Sequence, residues 1–156
     1  MKMFQVPQRE VQVQVLLEGG EGLEGTLYAP TAGPTGGPGR LSDRLNDEDE
    51  IFLPLISSDG AHLLSKNWIM TIRLKPEEEE LEIQESDQAK ECAVEMVLKG
   101  GISLNGRLKY TMPVEKRRVL DYLNATPHFL PVVEEGQVTL VNRSFLVRIR
   151  DLAGAG

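Results

Sequence analysis

One segment of this chain occurs twice, and the repetition limits the folds that the sequence can adopt. The stretch VQVLLEGGEGLEGTLYA, which begins at Val13, aligns without a gap on VEMVLKGGISLNGRLKY, which begins at Val94. Because internal repetition is the signature of a duplicated structural unit, the alignment predicts the same local structure in both places. The shared residues are Val13/Val94, Leu17/Leu98, Gly19/Gly100, Gly20/Gly101, Leu23/Leu104, Gly25/Gly106 and Leu27/Leu108.

Three later stretches repeat in the same order. RLSDRLN matches RVLDYLN, FLPLI matches FLPVV, and LLSKNWIMTIR matches LVNRSFLVRIR. We therefore predict a tandem duplication, with a first unit over residues 9–75 and a second unit over residues 93–152. The first unit contains a Pro/Gly-rich loop at residues 30–39, and an acidic linker over residues 76–92 separates the units.

Each unit is predicted to consist of β-strands. Val11, Val13 and Val15 alternate with intervening residues, which is the two-residue period of a half-buried strand. Paired glycines follow and indicate a tight turn, because glycine tolerates positive φ. The central glycine of the next strand allows a bend or a close backbone approach. Residues 63–74 and 138–152 each predict two strands around a polar turn, so the chain is predicted to be all-β.

The repeated stretches resemble the two signatures of the Sm and Sm-like (LSm) proteins. In the first signature two glycines and an apolar strand are followed by an Asp and an Asn. The corresponding residues are Gly20, Gly25, Asp43 and Asn46 in the first unit and Gly101, Gly106, Asp121 and Asn124 in the second. LVNRSFLVRI is similar to the second signature through Arg143 and Ser144, and LLSKNWIMTI has Lys66 and Asn67 at these positions.

This resemblance implies two tandem, strongly bent five-stranded sheets, each closing into a small Sm-like (SH3-like) β-barrel. It also implies association through free edge strands, because Sm-like domains pair their edges to form rings. Small open barrels leave unpaired backbone groups at their edges, and these groups favour a partner on physical grounds as well. The two units can pair with each other, with other chains, or with both, and the sequence does not choose between these arrangements. We expect a homo-oligomer or a complex with a protein partner, formed through edge strands.

The resemblance also points to candidate ligand-binding or RNA-binding residues. The Asn of the family lies near its RNA-binding pocket, and the Arg of its second signature contacts a base. A structural role is the alternative, because Asp and Asn side chains bond nearby backbone N–H groups in turns and a cation can lie exposed between two strands. The candidates are Asp43, Asn46, Lys66, Asp121, Asn124 and Arg143.

The charge of the chain disfavours nucleic acid as a partner. The formal net charge is -7, whereas nucleic-acid affinity depends on Lys and Arg that neutralise phosphates. We interpret the acidic runs at residues 47–50 and 77–80 as solvated, because neither has the spacing of a cation-binding loop. Arg40 and Arg44 fit the RxxxR half of a PilZ cyclic-di-GMP motif, but Val147 stands where the other half requires Gly.

No pattern in the sequence predicts an enzyme, a metal site or a cofactor. His62 and His128 lie at different places in the repeat, and no P-loop or nucleophile elbow occurs. Cys92 is the only cysteine, and the sequence has neither a signal-like start nor about 18 consecutive apolar residues, so we expect a cytoplasmic protein. The expected function is a non-enzymatic interaction or assembly module. An RNA-binding Sm-like protein is the alternative, and a PilZ-like cyclic-di-GMP sensor is a weaker one.

Overall fold

The computed structural model describes residues 8–32, 39–79, 89–111, 119–125 and 128–152, and most of these residues lie in strands. The prediction of an all-β fold is confirmed. The strands are β1 (Gln8–Leu17), β2 (Gly22–Pro30), β3 (Phe52–Ser57), β4 (Gly60–Ser65), β5 (Ile69–Leu74), β6 (Ala89–Leu98), β7 (Ile102–Thr111), β8 (Phe129–Glu134), β9 (Gln137–Asn142) and β10 (Leu146–Asp151).

Short helical segments connect some of the strands. They are α1 (Leu41–Leu45), α2 (Pro76–Glu79) and α3 (Val119–Ala125), with 3₁₀ turns at Lys66–Trp68 and Arg143–Phe145. The two 3₁₀ turns lie between β4 and β5 and between β9 and β10, where the sequence predicts polar turns. Within the described residues, none of these helices has the length and apolar character needed to cross a membrane.

The described strands form one antiparallel sheet of ten strands in the order β10-β6-β7-β8-β9-β5-β1-β2-β3-β4. The first half (β1–β5) and the second half (β6–β10) follow the same internal order and meet where β5 pairs with β9. In the described part of the chain, β4 and β10 each pair with one neighbour, so the sheet is open and has two free edges. The hydrogen bonds of the described strands do not close the sheet into barrels. The expected arrangement of two tandem barrels therefore stays a prediction.

The first hairpin shows why the sequence forms these strands. The valines of β1 are buried and the glutamines between them are exposed, as expected for a strand with one face in a core. Gly19 and Gly20 then turn the chain with φ of 100° each, a conformation that side chains with a Cβ rarely adopt. Gly100 and Gly101 turn the second half with φ of 87° and 81°.

The second and third strands of each half are joined by only one register pair. This pair is Thr26 with Ile56 for β2 and β3, and Arg107 with Val133 for β7 and β8. Next to the first of these pairs, a Cβ on Gly25 would lie 2.4 Å from the carbonyl oxygen of Ile56. The close backbone approach predicted for the central glycine is therefore confirmed.

Two apolar clusters form the core, and each takes side chains from both halves. The first cluster consists mainly of residues from β1–β5 and α1, but it includes Phe129, Val138 and Leu140 of the second half. The second cluster consists mainly of residues from the second half, but it includes Met70 of β5. Since all four of these side chains are buried, the halves complete each other's cores across the β5–β9 pair.

Two segments singled out in the sequence fall partly outside the described residues. These are residues 33–38 of the Pro/Gly-rich loop and residues 80–88 of the acidic linker. At the two ends of the linker, Pro76–Glu79 forms α2 and Ala89 begins β6. The first strand of the second half therefore begins ahead of residue 93, where the second unit is expected to start.

Replacing Gly25 with alanine should destabilise the fold, because the added methyl group would overlap the main chain of Ile56. We expect Gly25→Ala to lower the free energy of unfolding by about 1–3 kcal/mol, the usual effect of an overpacked contact. Gly22→Ala is the matched control on the same strand, since its Cβ would meet no atom closer than 4.0 Å. Urea denaturation measures both variants, and equal losses of stability would contradict the close approach of the Ile56 main chain as the cause.

Candidate functional site

A cavity of about 430 Å³ opens where the two halves of the sheet meet. It is lined by the segment between α1 and β3, by the 3₁₀ turn after β4 and by the corresponding parts of the second half. Its polar lining includes Asn46, Lys66, Asn67, His128, Asn142 and Ser144. The cavity therefore brings two of the sequence-predicted site residues, Asn46 and Lys66, to one place and adds polar groups from the second half.

Two asparagine side chains connect the halves at this cavity through hydrogen bonds to main-chain groups. Asn46 donates from Nδ2 to the carbonyl oxygen of Phe129 (3.1 Å), and its Oδ1 accepts the N–H of Phe129 (2.8 Å). The buried Asn142 donates from Nδ2 to the carbonyl oxygen of Ile69 (2.9 Å), and its Oδ1 accepts the N–H of Ser144 (3.0 Å). Both amides are thus engaged with main-chain groups at the junction.

Lys66 and Arg143 occupy the same place in the two halves, at the start of the 3₁₀ turns. The N–H of Lys66 donates to the carbonyl oxygen of Ile51 (2.9 Å), and the N–H of Arg143 donates to that of His128 (2.7 Å). Lys66 is buried, and its Nζ donates to the carbonyl oxygen of Asp47. Burial lowers the pKa of Lys66, and nearby carboxylates oppose that shift. Its ammonium group therefore holds the loop before β3 in place.

The other predicted site residues do not line the cavity. Arg143 donates from Nη1 to a carbonyl oxygen of α3 (3.0 Å). Asp43 accepts the N–H of Arg40 at Oδ2 (2.9 Å), which stabilises the first turn of α1. In α3, Asp121 is half-buried and Asn124 is exposed. The structure therefore leaves the two Asp/Asn pairs in separate places, with only Asn46 at the junction.

The lining of the cavity is acidic. Asp47, Glu48 and Glu50 supply three carboxylates, against one ammonium group from the buried lysine. Glu50 is paired with Arg44, whose Nε and Nη2 each donate to it over 2.9 Å, while Nη1 donates to the carbonyl oxygen of Tyr28 (2.7 Å). All three guanidinium nitrogens of Arg44 are therefore bonded within the protein, which weakens the cyclic-di-GMP hypothesis.

Several residues at the junction differ between the two repeated stretches, so the repetition does not point to them. Asn142 corresponds to Ser65 in the first unit, and His128 corresponds to Ile51. The junction occurs once within the chain, so the residues on its two sides come from different units and have no reason to match. Comparison of the repeats with each other therefore does not find them.

A second unusual group, Glu79, lies at the end of α2. Its side chain is fully buried, and Oε1 accepts the N–H groups of Leu41 (3.0 Å) and Ser42 (3.4 Å) at the start of α1. Its Oε2 has no hydrogen-bond partner among the described residues. Burial raises the pKa of Glu79 to about 7, and hydrogen bonds from Ser42 oppose the shift. The interpretation of residues 77–80 as a solvated run is therefore wrong for Glu79.

Removing the side chain of Asn46 should weaken the junction. Asn46→Ala leaves the N–H and the carbonyl oxygen of Phe129 without their amide partner, so we expect the free energy of unfolding to fall by about 1–3 kcal/mol. Asn105→Ala, at an exposed position of β7, is the control and should change it by less than about 0.5 kcal/mol. Chemical denaturation measures both variants. An unchanged stability of Asn46→Ala would show that the hydrogen bonds between Asn46 and Phe129 do not stabilise the junction.

Glu79 should make the fold less stable as the pH rises. Its pKa is about 7 in the folded protein, whereas the usual value for glutamate is 4.5, so between these pH values the folded protein keeps a proton that the unfolded chain releases. The contribution of Glu79 to the free energy of unfolding therefore falls through this range, by about 3 kcal/mol in all, and is constant above it.

Glu79→Gln should remove this part of the pH dependence, because glutamine does not titrate. Glu77→Gln, exposed on the same helix, should retain the profile of the wild type. Urea midpoints measured from about pH 4.5 to about pH 8 test both variants. Parallel profiles for the wild type and Glu79→Gln would show that burial of Glu79 does not couple folding to pH.

No family model matches the chain, and comparison with curated proteins and with solved structures found no similar protein. Within the described ranges, no group of three or more His, Cys, Asp or Glu is placed to hold a metal ion. The amides at the junction bind main-chain groups, and the cavity beside them has a negative lining.

Proposed function

We propose that the protein is a non-enzymatic interaction module made of two Sm-like repeats, which binds partners by adding their strands to its two open sheet edges. The observation that carries the proposal is the exposure of large apolar side chains on both edge strands. Leu63 on β4 is 71% exposed, and Val147 on β10 is 67% exposed. Phe52 and Ile56 of the neighbouring strand β3 are also exposed near Leu63, and exposed apolar side chains that lie together commonly mark interaction surfaces.

Three features support the interpretation of the halves as repeats. Both halves have the same strand order, and each has a short helix between its second and third strands and a 3₁₀ turn between its fourth and fifth. The same main-chain bond follows the first strand of each half. Glu18 donates to the carbonyl oxygen of Trp68 and Lys99 to that of Phe145, both over 2.9 Å. This arrangement agrees with the five-stranded unit that the Sm-like resemblance implies.

The two free edges are suited to a further strand. An edge strand presents N–H and C=O groups without a strand partner, and proteins that avoid pairing there usually place charges or proline on it. β4 has the sequence GAHLLS, which contains neither a carboxylate, a lysine, an arginine nor a proline. On β10, Arg148 and Arg150 lie 3.7 Å and 3.2 Å from Glu95 of the neighbouring strand. The β4 edge therefore lacks these blocking groups, whereas β10 carries charged side chains, of which the two arginines are paired with Glu95 of the neighbouring strand.

The polar groups of the junction cavity support a binding module over an enzyme. The amides of Asn46 and Asn142 bond main-chain groups, and the ammonium group of Lys66 bonds a main-chain carbonyl. A catalytic acid, base or nucleophile has to reach the reacting atoms of a substrate. These three side chains are directed to the backbone, which gives them a structural role.

RNA binding is the second candidate function, and one observation favours it. Asn46 and Lys66, which the family resemblance assigns to RNA contacts, line the same cavity. The lining opposes this function, because a phosphate would face the carboxylates of Asp47, Glu48 and Glu50. Strand addition at the edges does not meet that repulsion, so it remains the preferred proposal.

Strand addition is tested by selecting peptides from a displayed random library on the immobilised protein. The selected peptides should slow amide exchange in β4 or β10, because they would pair with the edge. Binding at β4 should weaken at least about 10-fold in Leu63→Lys, and binding at β10 in Val147→Lys, since each places an ammonium group in the contact. Ser103→Lys, an exposed position on the interior strand β7, is the control and should bind as the wild type does.

Two outcomes would count against this function. Peptides that slow exchange around the cavity and leave the edges unchanged would place the interaction surface elsewhere. Binding of oligo-U or oligo-A at about 50 mM salt, where counterion release favours nucleic-acid binding, would support the RNA-binding alternative.

A further inference from the structure

We propose that the protein binds a fatty acid in a groove on the sheet face, with the carboxylate at Arg73 of β5 and the aliphatic chain against β7 of the second half. The groove shares no lining residue with the junction cavity and takes none from the edge strands β4 and β10. The inference therefore goes beyond the proposed function and does not depend on it.

The groove consists of two cavities that share part of their lining. The larger has a volume of about 480 Å³ and the smaller a volume of about 320 Å³. Gln14, Glu24 and Arg73 line both of them. Cavities of a few hundred Å³ are of the size that holds small ligands. Because the same three residues border both cavities, one elongated ligand can occupy the two together.

The larger cavity has an apolar end to which both halves contribute. Leu16 of β1 and Ile102 and Leu104 of β7 line it, and all three pack in or against the second apolar cluster. Leu16 and Ile102 are only partly buried, so apolar surface is open to the cavity. Removing such surface from water is favourable, and an aliphatic chain does this without bringing polar groups that need partners.

The register of β1 and β5 places a polar group beside this apolar surface. Leu16 lies opposite Thr71, and Gln14 lies opposite Arg73, so the four side chains share one face of the sheet. Thr71 is 5% exposed and lines the larger cavity, and its hydroxyl group has no hydrogen-bond partner among the described residues. Buried polar groups normally have a partner, and an oxygen of a bound ligand would supply one here.

Arg73 supplies the charge for an anionic head group. Its side chain is exposed, lines both cavities and forms no ion pair or hydrogen bond with another described residue. Lys75, which is also exposed, lines the smaller cavity, to which the apolar residues of β7 do not extend. A guanidinium group binds a carboxylate through two parallel hydrogen bonds. The groove is therefore cationic at one end and apolar at the other.

The one carboxylate in the lining of the groove already has a partner. Oε1 of Glu24 accepts a hydrogen bond from Nε2 of Gln14 (3.2 Å). Since β1 lies between β2 and β5, the main chains of Glu24 and Arg73 are two strand spacings apart, about 10 Å. Glu24 therefore leaves the guanidinium group of Arg73 open to a carboxylate from a ligand.

Isothermal titration calorimetry with octanoate tests the site. Octanoate should bind the wild type, and the affinity should rise about 2–4-fold for each CH₂ group from butanoate to octanoate, because each further group covers apolar surface. Octanol and octylammonium have the same chain without a negative charge. Both should bind at least about 10-fold more weakly than octanoate.

Arg73→Gln tests the position of the carboxylate. The variant should bind octanoate at least about 10-fold more weakly and should bind octanol as the wild type does, because only the charge is removed. Arg107→Gln is the matched control, since Arg107 is an exposed arginine of β7 that pairs with Glu91 and lines neither cavity. It should bind octanoate as the wild type does, and circular dichroism checks that both variants are folded.

Thr71→Val separates a ligand contact from a structural role, because it replaces the hydroxyl group with a methyl group of similar size. Octanoate should bind about 2–10-fold more weakly through the loss of one hydrogen bond. The urea midpoint should not fall, since no described residue bonds this hydroxyl group. A lower midpoint with unchanged binding would show that the hydroxyl group stabilises the fold and does not contact the ligand.

The remaining outcomes each decide the matter. The absence of octanoate binding at millimolar concentration, or equal binding by the wild type and Arg73→Gln, would overturn the site. Tighter binding of octylammonium than of octanoate would assign the groove to a cation. Tighter binding of the peptide acetyl-Ala-Ala-Leu, lost in Arg73→Gln, would replace the fatty acid with the C-terminus of a protein. Octanoate binding by a protein whose edges bind no peptide would support this inference and overturn the proposed function.

Discussion

The pairing of β5 with β9 is the contact on which the rest of the structure depends. It joins the two halves into one sheet and places Met70 in one core and Phe129 and Leu140 in the other. Because burial of apolar surface is the main favourable term in folding, neither half is complete without the other. Asn46 and Asn142 then bond main-chain groups that the junction would otherwise leave with fewer partners.

The sequence predicts the internal architecture of each half, because its determinants are local. Alternating valines specify a strand face, paired glycines specify a turn, and Gly25 permits the close approach of the Ile56 main chain. The joining of the halves into a single sheet is one of the alternatives that the sequence leaves open. Alternation specifies which face of a strand is buried, but it carries no information on which strand lies at its edge. The repeats make Leu63 and Leu140 equivalent, and only the strand order shows that one lies at an edge and the other at a junction.

In the candidate site, too, the sequence predicts the residues that belong to local motifs and misses the contacts between distant segments. Asn46 and Lys66 are found from short motifs and do share a cavity, whereas the groups that face them come from distant parts of the chain and differ between the repeats. Glu79 shows most clearly what the sequence alone does not reveal. An acidic run looks solvated in the sequence, and only the packing of α2 against α1 places one of its carboxylates beside the N–H groups of Leu41 and Ser42.

The exchange of core side chains also bears on how the chain folds as it is synthesised. Chains emerge from the ribosome from the N-terminus, at about 5–20 residues per second, and domains usually fold in that order. Here β5 ends at Leu74, yet Phe129 and Leu140, which fill the core of the first half, arrive only with β8 and β9. During that interval the nascent first half has an unfilled core and an open β5 edge. The first half therefore completes its core only after β8 and β9 have been synthesised.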